Sequence, residues 1–227
     1  MRALRVEDLG LRPYGEVLEL QRDLRRRRIS GELAEDELLL VQHPPVVTLG
    51  RGTRPSSLPI APAELIRRGV EVHEVERGGD VTLHGPGQLV GYPILDLREH
   101  REDLHWYLRS LEDVLIQALG RLGVEAGRNP GRTGVWTAGR KIASMGIHVK
   151  QWVTLHGFAL NVTTDLDLFD LIVPCGIPQV VMTSVAAELL REGDGGLMAE
   201  VREHVVGSFR EVFGLSGVPV SGTIQGR

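Results

Sequence analysis

Cys175 is the only thiol of the chain, and its setting differs from that of an ordinary core cysteine. It lies in VPCGI at 173–177, where proline and glycine favour a turn with exposed backbone over a continuous strand. A thiol with a pKa near ~8.5 is mostly protonated at neutral pH, so a nucleophilic cysteine needs a neighbouring cation or base. The sequence leaves two interpretations open, an inert buried cysteine and a catalytic nucleophile.

Lys141 is one of two lysines, with Lys150, among 26 basic residues. An ammonium gives up its proton far more readily than a guanidinium, so a lysine kept in an arginine-rich chain is a candidate proton carrier. Lys141 lies in GRKIASMGIHV at 139–149, where burial among apolar side chains would penalise its charge. A strand-edge lysine that points to water fits the same pattern. The candidate partners of the Cys175 thiol are Lys141, His84, His148 and His156.

Glycines are concentrated in RGGDVTLHGPGQ at 77–88 and in GYP at 91–93. Glycine lets the backbone approach a ligand closely, and the cluster also brings an arginine, a histidine and a tyrosine. The segment lacks the lysine and hydroxyl of a phosphate-binding P-loop, and no helix pattern follows it as in a dinucleotide site. It is consistent with a tight structural turn or with a loop that lines a binding site.

Length and composition indicate one globular unit, a single domain spanning 1–227. No apolar run approaches the ~18 residues that cross a bilayer, and the acidic N-terminus lacks a secretory signal. We therefore expect a cytoplasmic protein with no membrane partner. The net charge of −4 gives no reason to expect nucleic-acid binding. One cysteine forms no internal disulfide, and no Cys/His spacing predicts a metal site.

Apolar periodicity predicts helices interspersed with strands. Helices are expected at 14–27, 62–69, 104–122 and 198–212, and strands at 38–41, 46–49, 70–76, 80–84 and 89–97. The β-rich segment 135–162 predicts two or three paired strands. The basic run from Arg25 to Arg28 is expected at a solvated helix end, with a docking patch for an acidic partner as the alternative. The expected class is α+β (mixed α/β), a central mixed β-sheet flanked by helices.

Three segments together resemble the motifs of the lipoyl(octanoyl) transferases. They are RGGDVTLHGPGQLVGYPILDL at 77–97, GRKIASMGIHVKQWVTLHGFALNV at 139–162 and VPCGI at 173–177, and HPPVVTLGRGT at 43–53 extends the match. Their order and spacing agree over the middle half of the chain, which makes the combination far more specific than any of its parts. One departure is Leu83, where the family often has tyrosine before the histidine.

The resemblance implies a biotin/lipoate protein ligase-like fold and a reaction that needs no cofactor or metal. It implies transfer of octanoyl, with lipoyl as a possible substrate, from octanoyl-acyl carrier protein to a lysine of a lipoyl domain. The acceptors would be the lipoyl domains of 2-oxoacid dehydrogenase complexes and the glycine cleavage H protein. By matching position, Cys175 would form an acyl thioester and Lys141 would favour its thiolate. We also expect a monomer.

The resemblance further implies which residues contact the acyl chain. They belong to three segments and are Arg77, Gly78, Gly79, Asp80, Val81, Thr82, Leu83, His84, Ser144, Met145, Gly146, Gly157, Phe158 and Ala159.

Two other functions remain open on the sequence. An ATP-dependent lipoate or biotin protein ligase shares the expected fold, but it activates a free acid and needs no cysteine. A non-catalytic fatty-acyl binding protein would use the glycine loops to line a lipid slot. A cysteine protease is less favoured, because nothing places a histidine and an asparagine as an orienting pair.

Overall fold

The computed structural model describes residues 2–174 and 180–217. Within them, one sheet has eight strands in the order β11-β1-β2-β6-β10-β9-β8-β7, and a smaller sheet has three in the order β4-β3-β5. In chain order the strands are β1 (Arg2–Leu11), β2 (Asp36–Gln42), β3 (Val46–Leu49), β4 (Glu71–Glu74), β5 (Val81–His84), β6 (Gln88–Ile94), β7 (Gly127–Asn129), β8 (Arg132–Thr137), β9 (Arg140–Lys150), β10 (Val153–Asn161) and β11 (Leu215–Gly217).

The large sheet is mixed. Strand β1 runs parallel to β2 and β11, whereas β2, β6, β10 and β9 pair antiparallel in that order. The helices are α1 (Tyr14–Ser30), α2 (Pro62–Arg67), α3 (Leu104–Arg121), α4 (Val185–Leu189) and α5 (Leu197–Phe213). This arrangement confirms the predicted α+β class, a central mixed sheet flanked by helices.

Helices cover both faces of the large sheet. On β2, Leu38 and Leu40 pack in the cluster that contains α3 and α5, whereas Leu39 and Val41 pack in the cluster that contains α1. Because successive strand side chains point to opposite faces, a strand covered on both sides has a continuous apolar sequence. The small sheet has its own cluster, which includes Val47, Leu65 and Leu83.

Capping residues define the ends of the longest helices. The Asp103 carboxylate accepts hydrogen bonds from the backbone N–H of His105 at 2.9 Å and Trp106 at 3.0 Å, which starts α3. Helix α1 continues to Ser30 and ends at Gly31, which has a φ of 81°. It therefore extends beyond the predicted end at residue 27.

The structure corrects three expectations about elements. The strand predicted at 89–97 ends at Ile94, because the Asp96 carboxylate caps a 3-10 helix at Leu97–Glu99. Strand β1 was not predicted, although Leu4 and Val6 alternate with charged side chains there. The basic run is not fully solvated, because Arg28 is buried and contacts Asp36 at 3.2 Å.

No helix in residues 2–174 and 180–217 has the length and apolar character needed to span a membrane. The assignment of 1–227 to one domain stays a prediction.

Candidate functional site

A cavity of about 370 Å³ is bounded by strands of both sheets and by α1 and α3. All but one of the residues predicted to contact an acyl chain line this cavity. They are Arg77, Gly78, Gly79, Asp80, Val81, Thr82, His84, Ser144, Met145, Gly146, Gly157, Phe158 and Ala159. Three segments that are far apart in sequence therefore meet at one cavity.

Leu83 is the exception, and its contact with an acyl chain stays a prediction. It is fully buried in the cluster of the small sheet, together with Val47 and Leu65. Successive side chains of a strand point to opposite faces, so Thr82 and His84 can face the cavity while Leu83 faces away. The departure from the family's usual tyrosine at this position thus changes the core of the small sheet and not the cavity wall.

Lys141 lines the cavity and is only 1% exposed. The backbone of Lys141 forms two hydrogen bonds with the segment that follows residue 180. The Lys141 N–H donates to the Val181 carbonyl at 2.8 Å, and the Lys141 carbonyl accepts from the Thr183 N–H at 2.9 Å. Of the two alternatives that the sequence left open, the structure shows the buried lysine and not the strand-edge lysine in water.

Trp136 and Gly134 on β8 form the wall beside the Lys141 side chain. The Lys141 Nζ lies 5.6 Å from the centre of the Trp136 ring, within cation–π range. A Cβ added at Gly134, where φ is 128°, would lie 2.7 Å from Lys141 Cε and 2.7 Å from the Ala143 carbonyl oxygen. Glycine at this position is therefore required by both the backbone conformation and the lysine side chain.

Glu112 on α3 holds Gly134 in place. Its side chain is fully buried, and its Oε1 accepts from the Gly134 N–H at 3.0 Å. Its Oε2 accepts from Arg109 at 2.6 Å and from Arg128 at 2.8 Å. Both carboxylate oxygens are thus bonded, which stabilises a buried charge.

Cys175 lies outside the described residues, so its distance from Lys141 stays a prediction. The chain before it is anchored where the Val173 N–H donates to the Ser57 carbonyl at 2.9 Å. The chain after it returns at Val181, the residue bonded to Lys141.

A chain of hydrogen bonds connects His84 to Lys141. His84 Nδ1 donates to Gln88 Oε1 at 2.7 Å, Gln88 Nε2 donates to Asn161 Oδ1 at 2.9 Å, and Asn161 Nδ2 donates to the Thr183 carbonyl at 2.9 Å. Thr183 in turn donates to Lys141. Burial lowers the pKa of His84 to about 3, so its ring is neutral at pH 7 and its Nε2 is the unprotonated nitrogen.

Aromatic rings close the α1 side of the cavity. Tyr14 stacks on His84 with ring centres 6.0 Å apart, and Tyr92 OH donates to His43 Nε2 at 2.9 Å. His43 Nδ1 donates to the Arg12 carbonyl at 2.7 Å, which fixes its tautomer. Burial lowers the pKa of His43 to about 4. This wall is therefore uncharged at neutral pH.

The loop at Arg77 joins the small sheet to β9. The buried Arg77 guanidinium donates to the Thr48 carbonyl at 2.7 Å and to the Thr48 hydroxyl at 2.9 Å. The next residue, Gly78, donates its N–H to the Ile147 carbonyl at 2.9 Å. These bonds set the glycines of the loop against the cavity segment of β9.

Phe158 forms an apolar wall of the cavity. Its ring lies against Gly91 of β6, because a Cβ added at Gly91 would be 2.1 Å from Phe158 Cζ. Val90 and Ala159 line the same cavity. An apolar wall of this kind suits a hydrocarbon chain.

His156 lines the cavity from a strained backbone, with a φ of 59° in the middle of β10. Its N–H donates to Gln21 Oε1 at 3.1 Å, and its Nε2 lies 3.8 Å from Glu76 Oε2. His156 and the Arg22 guanidinium beside Glu76 hold the pKa of that carboxyl below its usual range. Burial lowers the pKa of His156, so the ring is neutral at pH 7.

The family model described as lipoyl protein ligase A/B catalytic domain matches residues 13–210. The octanoyltransferase of Nostoc sp. is 50% identical over 91% of this chain and 90% of its own length. The octanoyltransferase of Rubrobacter xylanophilus is 51% identical over 92% of each chain. This chain belongs to the octanoyltransferase family.

Solved structures of this family's fold include ligases. Lipoate-protein ligase A bound with ATP has a TM-score of 0.77 and 17% identity, covering 99% of this chain and 90% of its own. A biotin protein ligase of Aquifex aeolicus in complex with biotin and ATP has a TM-score of 0.53 and 12% identity, covering 95% and 74%. At such identities these structures confirm the expected biotin/lipoate protein ligase-like fold and do not bear on the reaction.

Sequence reasoning missed several cavity residues of this octanoyltransferase family member. They come from three distant elements and are Tyr14, Leu108, Gly131, Arg132 and Thr133. The letters NPGRTG at 129–134 are a turn signal that could have indicated the hairpin between β7 and β8. Nothing in that signal says which surface the hairpin approaches.

Groups of three or more His, Cys, Asp or Glu side chains that could hold a metal ion do not occur among the residues that the structure describes.

Proposed function

We propose that this chain transfers octanoyl from octanoyl-acyl carrier protein to a specific lysine of a lipoyl domain. The observation that carries the proposal is its 50% identity, over 91% of the chain, to an octanoyltransferase. Lipoyl is a possible second substrate, and the acceptors are the lipoyl domains of 2-oxoacid dehydrogenase complexes and the glycine cleavage H protein. One acyltransferase domain, working as a monomer, performs both steps.

The first half-reaction forms an octanoyl thioester on Cys175. The Lys141 ammonium stabilises the Cys175 thiolate, and each unit by which a thiol pKa falls is worth about 1.36 kcal/mol. The thiolate attacks the donor thioester, and the C–S bond to the carrier's thiol breaks. Lys141 then gives its proton to the departing sulfur. Because one thioester replaces another, this step is nearly isoenergetic.

The second half-reaction moves octanoyl to the acceptor lysine. Its nitrogen attacks the Cys175 thioester, the C–N bond forms and the C–S bond breaks. Neutral Lys141 takes a proton from the nitrogen and again stabilises the Cys175 thiolate. Amide formation from a thioester is downhill, so the reaction needs no ATP and no cofactor. An arginine at position 141 could stabilise the thiolate but not exchange the proton.

The surroundings of residue 175 support a Cys175–Lys141 dyad. Val181, six residues after Cys175, is bonded to Lys141 through its carbonyl. Ser57, which is bonded to Val173, donates its hydroxyl to the cavity residue Asp80 at 2.6 Å. Both anchors of the segment that carries Cys175 are therefore hydrogen-bonded to cavity residues.

The test supplies octanoyl-acyl carrier protein and a lipoyl domain without ATP, and follows the mass of the lipoyl domain. The proposal predicts an increase by one octanoyl group, without added ATP. Transfer only from free octanoate, and only with ATP, would instead identify a ligase. Octanoyl binding without any modified lipoyl domain would identify a fatty-acyl binding protein.

A further inference from the structure

The acceptor amine brings one more proton than Lys141 can take. A lysine side chain has a pKa near ~10.4, so the acceptor arrives at pH 7 as an ammonium with three protons on nitrogen. The amide nitrogen keeps one of them. Neutral Lys141 accepts the second, and the third needs another acceptor. This requirement rests on the proposed function.

His156 is a cavity residue with unused hydrogen-bonding capacity. The residue is 2% exposed, and its Nε2 has no hydrogen-bond partner among the described residues. The nearest acidic oxygen, Glu76 Oε2, is 3.8 Å away, so a small shift of the ring would form a hydrogen bond. With Nε2 turned towards Glu76, Nδ1 is the nitrogen left for a molecule in the cavity.

We propose that His156, backed by Glu76, accepts the extra proton of the acceptor ammonium before its nitrogen attacks the thioester. In this step the N–H bond of the ammonium breaks and a bond from the proton to His156 Nδ1 forms. The Nε2–H donates to the Glu76 carboxylate, which stabilises the imidazolium. The proton then passes to solvent when the product leaves, and the ring returns to its neutral form.

Of the charges around His156, the Glu76 carboxylate raises the pKa of the ring, whereas Arg77 and Arg25 lower it. Helix α1 brings Arg22 and Arg25, β9 brings His148, and Arg77 lies on the cavity side. Arg22 Nη2 donates to Glu76 Oε2 at 2.9 Å and keeps the carboxylate ionised. Arg25 Nη1 donates to His148 Nδ1 at 3.0 Å, so that ring is neutral. Glu76 is therefore the group that stabilises a proton on His156.

A second buried histidine–carboxylate pair shows what a purely structural pair looks like here. His100 Nε2 lies 2.6 Å from Asp36 Oδ2, and Asp36 Oδ1 accepts from Arg28 and from the Asp96 N–H at 3.1 Å. The pair does not line the cavity. His100 has a φ of −115°, an ordinary value. His156 differs in all three respects, because its pair is open, its backbone is strained and its ring lines the cavity.

The test separates the two half-reactions in the His156→Asn variant. Asparagine tolerates the left-handed backbone of this position better than other non-glycine residues, so the strand conformation is retained. Octanoyl-enzyme formation from octanoyl-acyl carrier protein should be slowed far less than the discharge step. Discharge of the octanoyl-enzyme to the lipoyl domain should be slower by about 10²-fold at pH 7. The difference in discharge rate between the wild type and His156→Asn should become smaller towards pH 10, where the acceptor amine loses its first proton to solvent.

His100→Asn is the matched control, because it removes an equally buried ring beside a carboxylate. It should leave the ratio of the two half-reaction rates unchanged. Equal slowing of both half-reactions in His156→Asn, or a discharge rate that stays at the wild-type level, would overturn the inference. Failure of the wild type to form an octanoyl-enzyme would instead overturn the proposed function.

Discussion

Lys141 and His156, the two cavity side chains that we propose to carry protons, are held in different ways. Lys141 is fixed by backbone hydrogen bonds to Val181 and Thr183, and its side chain fits against Gly134. His156 is held from α1 through the Gln21 side chain, and its ring nitrogen stops 3.8 Å short of Glu76. A fixed ammonium suits constant stabilisation of a thiolate, whereas an unbonded ring nitrogen near a carboxylate suits a transient proton acceptor.

The comparison teaches that burial alone does not mark a catalytic group. His43 and His84 are also buried, yet His43 has both ring nitrogens bonded, to Arg12 and to Tyr92. His84 has its Nδ1 committed to Gln88. Backbone strain and a carboxylate 3.8 Å from an unbonded ring nitrogen separate His156 from these two.

The largest effect is expected when the shared nucleophile is removed. Cys175→Ala should abolish octanoyl transfer, because in the proposed mechanism Lys141 and His156 both act on an acyl group that this sulfur holds. The variant should unfold at the same urea concentration as the wild type. Turnover at the wild-type rate would contradict the covalent intermediate and, with it, the roles proposed for Lys141 and His156.

Lys141→Arg tests whether the side chain at position 141 supplies a proton or only a positive charge. Charge is retained, but a guanidinium does not exchange its proton, so kcat should fall by at least ~10²-fold. Lys150→Arg is the matched control, because Lys150 is exposed at the end of the same strand. Full rate in Lys141→Arg would reduce the role of Lys141 to electrostatics.

Gly134→Ala tests how tightly Gly134 packs against the Lys141 side chain. The added methyl group would collide with Lys141 Cε and with a backbone carbonyl, so it should cost about 1–3 kcal/mol of unfolding free energy and lower kcat. Gly139→Ala is the control, because Gly139 has a φ of 79° but no atom within 4 Å of an added Cβ. A larger loss in Gly134→Ala than in Gly139→Ala, measured by urea unfolding, would reflect the contact with Lys141 together with the more strained φ of 128°. Equal costs would show that Gly134 does not confine Lys141.

Acid sensitivity should be the mildest effect, since it is absent at pH 7. Unfolded histidine takes up a proton near pH ~6.5, whereas burial keeps His43 neutral until pH about 4. Between these values the unfolded state binds more protons, so the free energy of unfolding falls as pH falls, by on the order of 3 kcal/mol for His43. Urea unfolding of His43→Asn at pH 7 and pH 5 should show a smaller loss than in the wild type. A loss of unfolding free energy equal to that of the wild type would contradict the claim that His43 is neutral in the folded protein.

Much of the fold followed from local patterns. The strand at 46–49 was predicted with its observed bounds because a short apolar run follows two prolines. The position of Leu83 could also have been predicted, since strand alternation separates it from Thr82 and His84. Strand β1 was not predicted, because the alternation of Leu4 and Val6 is short and is surrounded by charged residues.

The glycines and motifs predicted most of the segments that line the cavity. The other lining and supporting residues are brought there by tertiary contacts between elements that are distant in sequence. Tyr14 lies far from the motifs in sequence and reaches the cavity only because α1 packs across the sheet. Glu112 supports Lys141 through Gly134, a relation that no spacing in the sequence encodes. The bend at His156 is likewise set by Gln21 on α1, so periodicity within β10 gives no sign of it.

The central claim is that octanoyl passes through Cys175. Intact-protein mass spectrometry of the enzyme, quenched after exposure to octanoyl-acyl carrier protein without acceptor, tests it most directly. The account predicts one added octanoyl group, mapped to Cys175 and lost when the lipoyl domain is supplied. An unmodified enzyme that still transfers octanoyl to the lipoyl domain would contradict it.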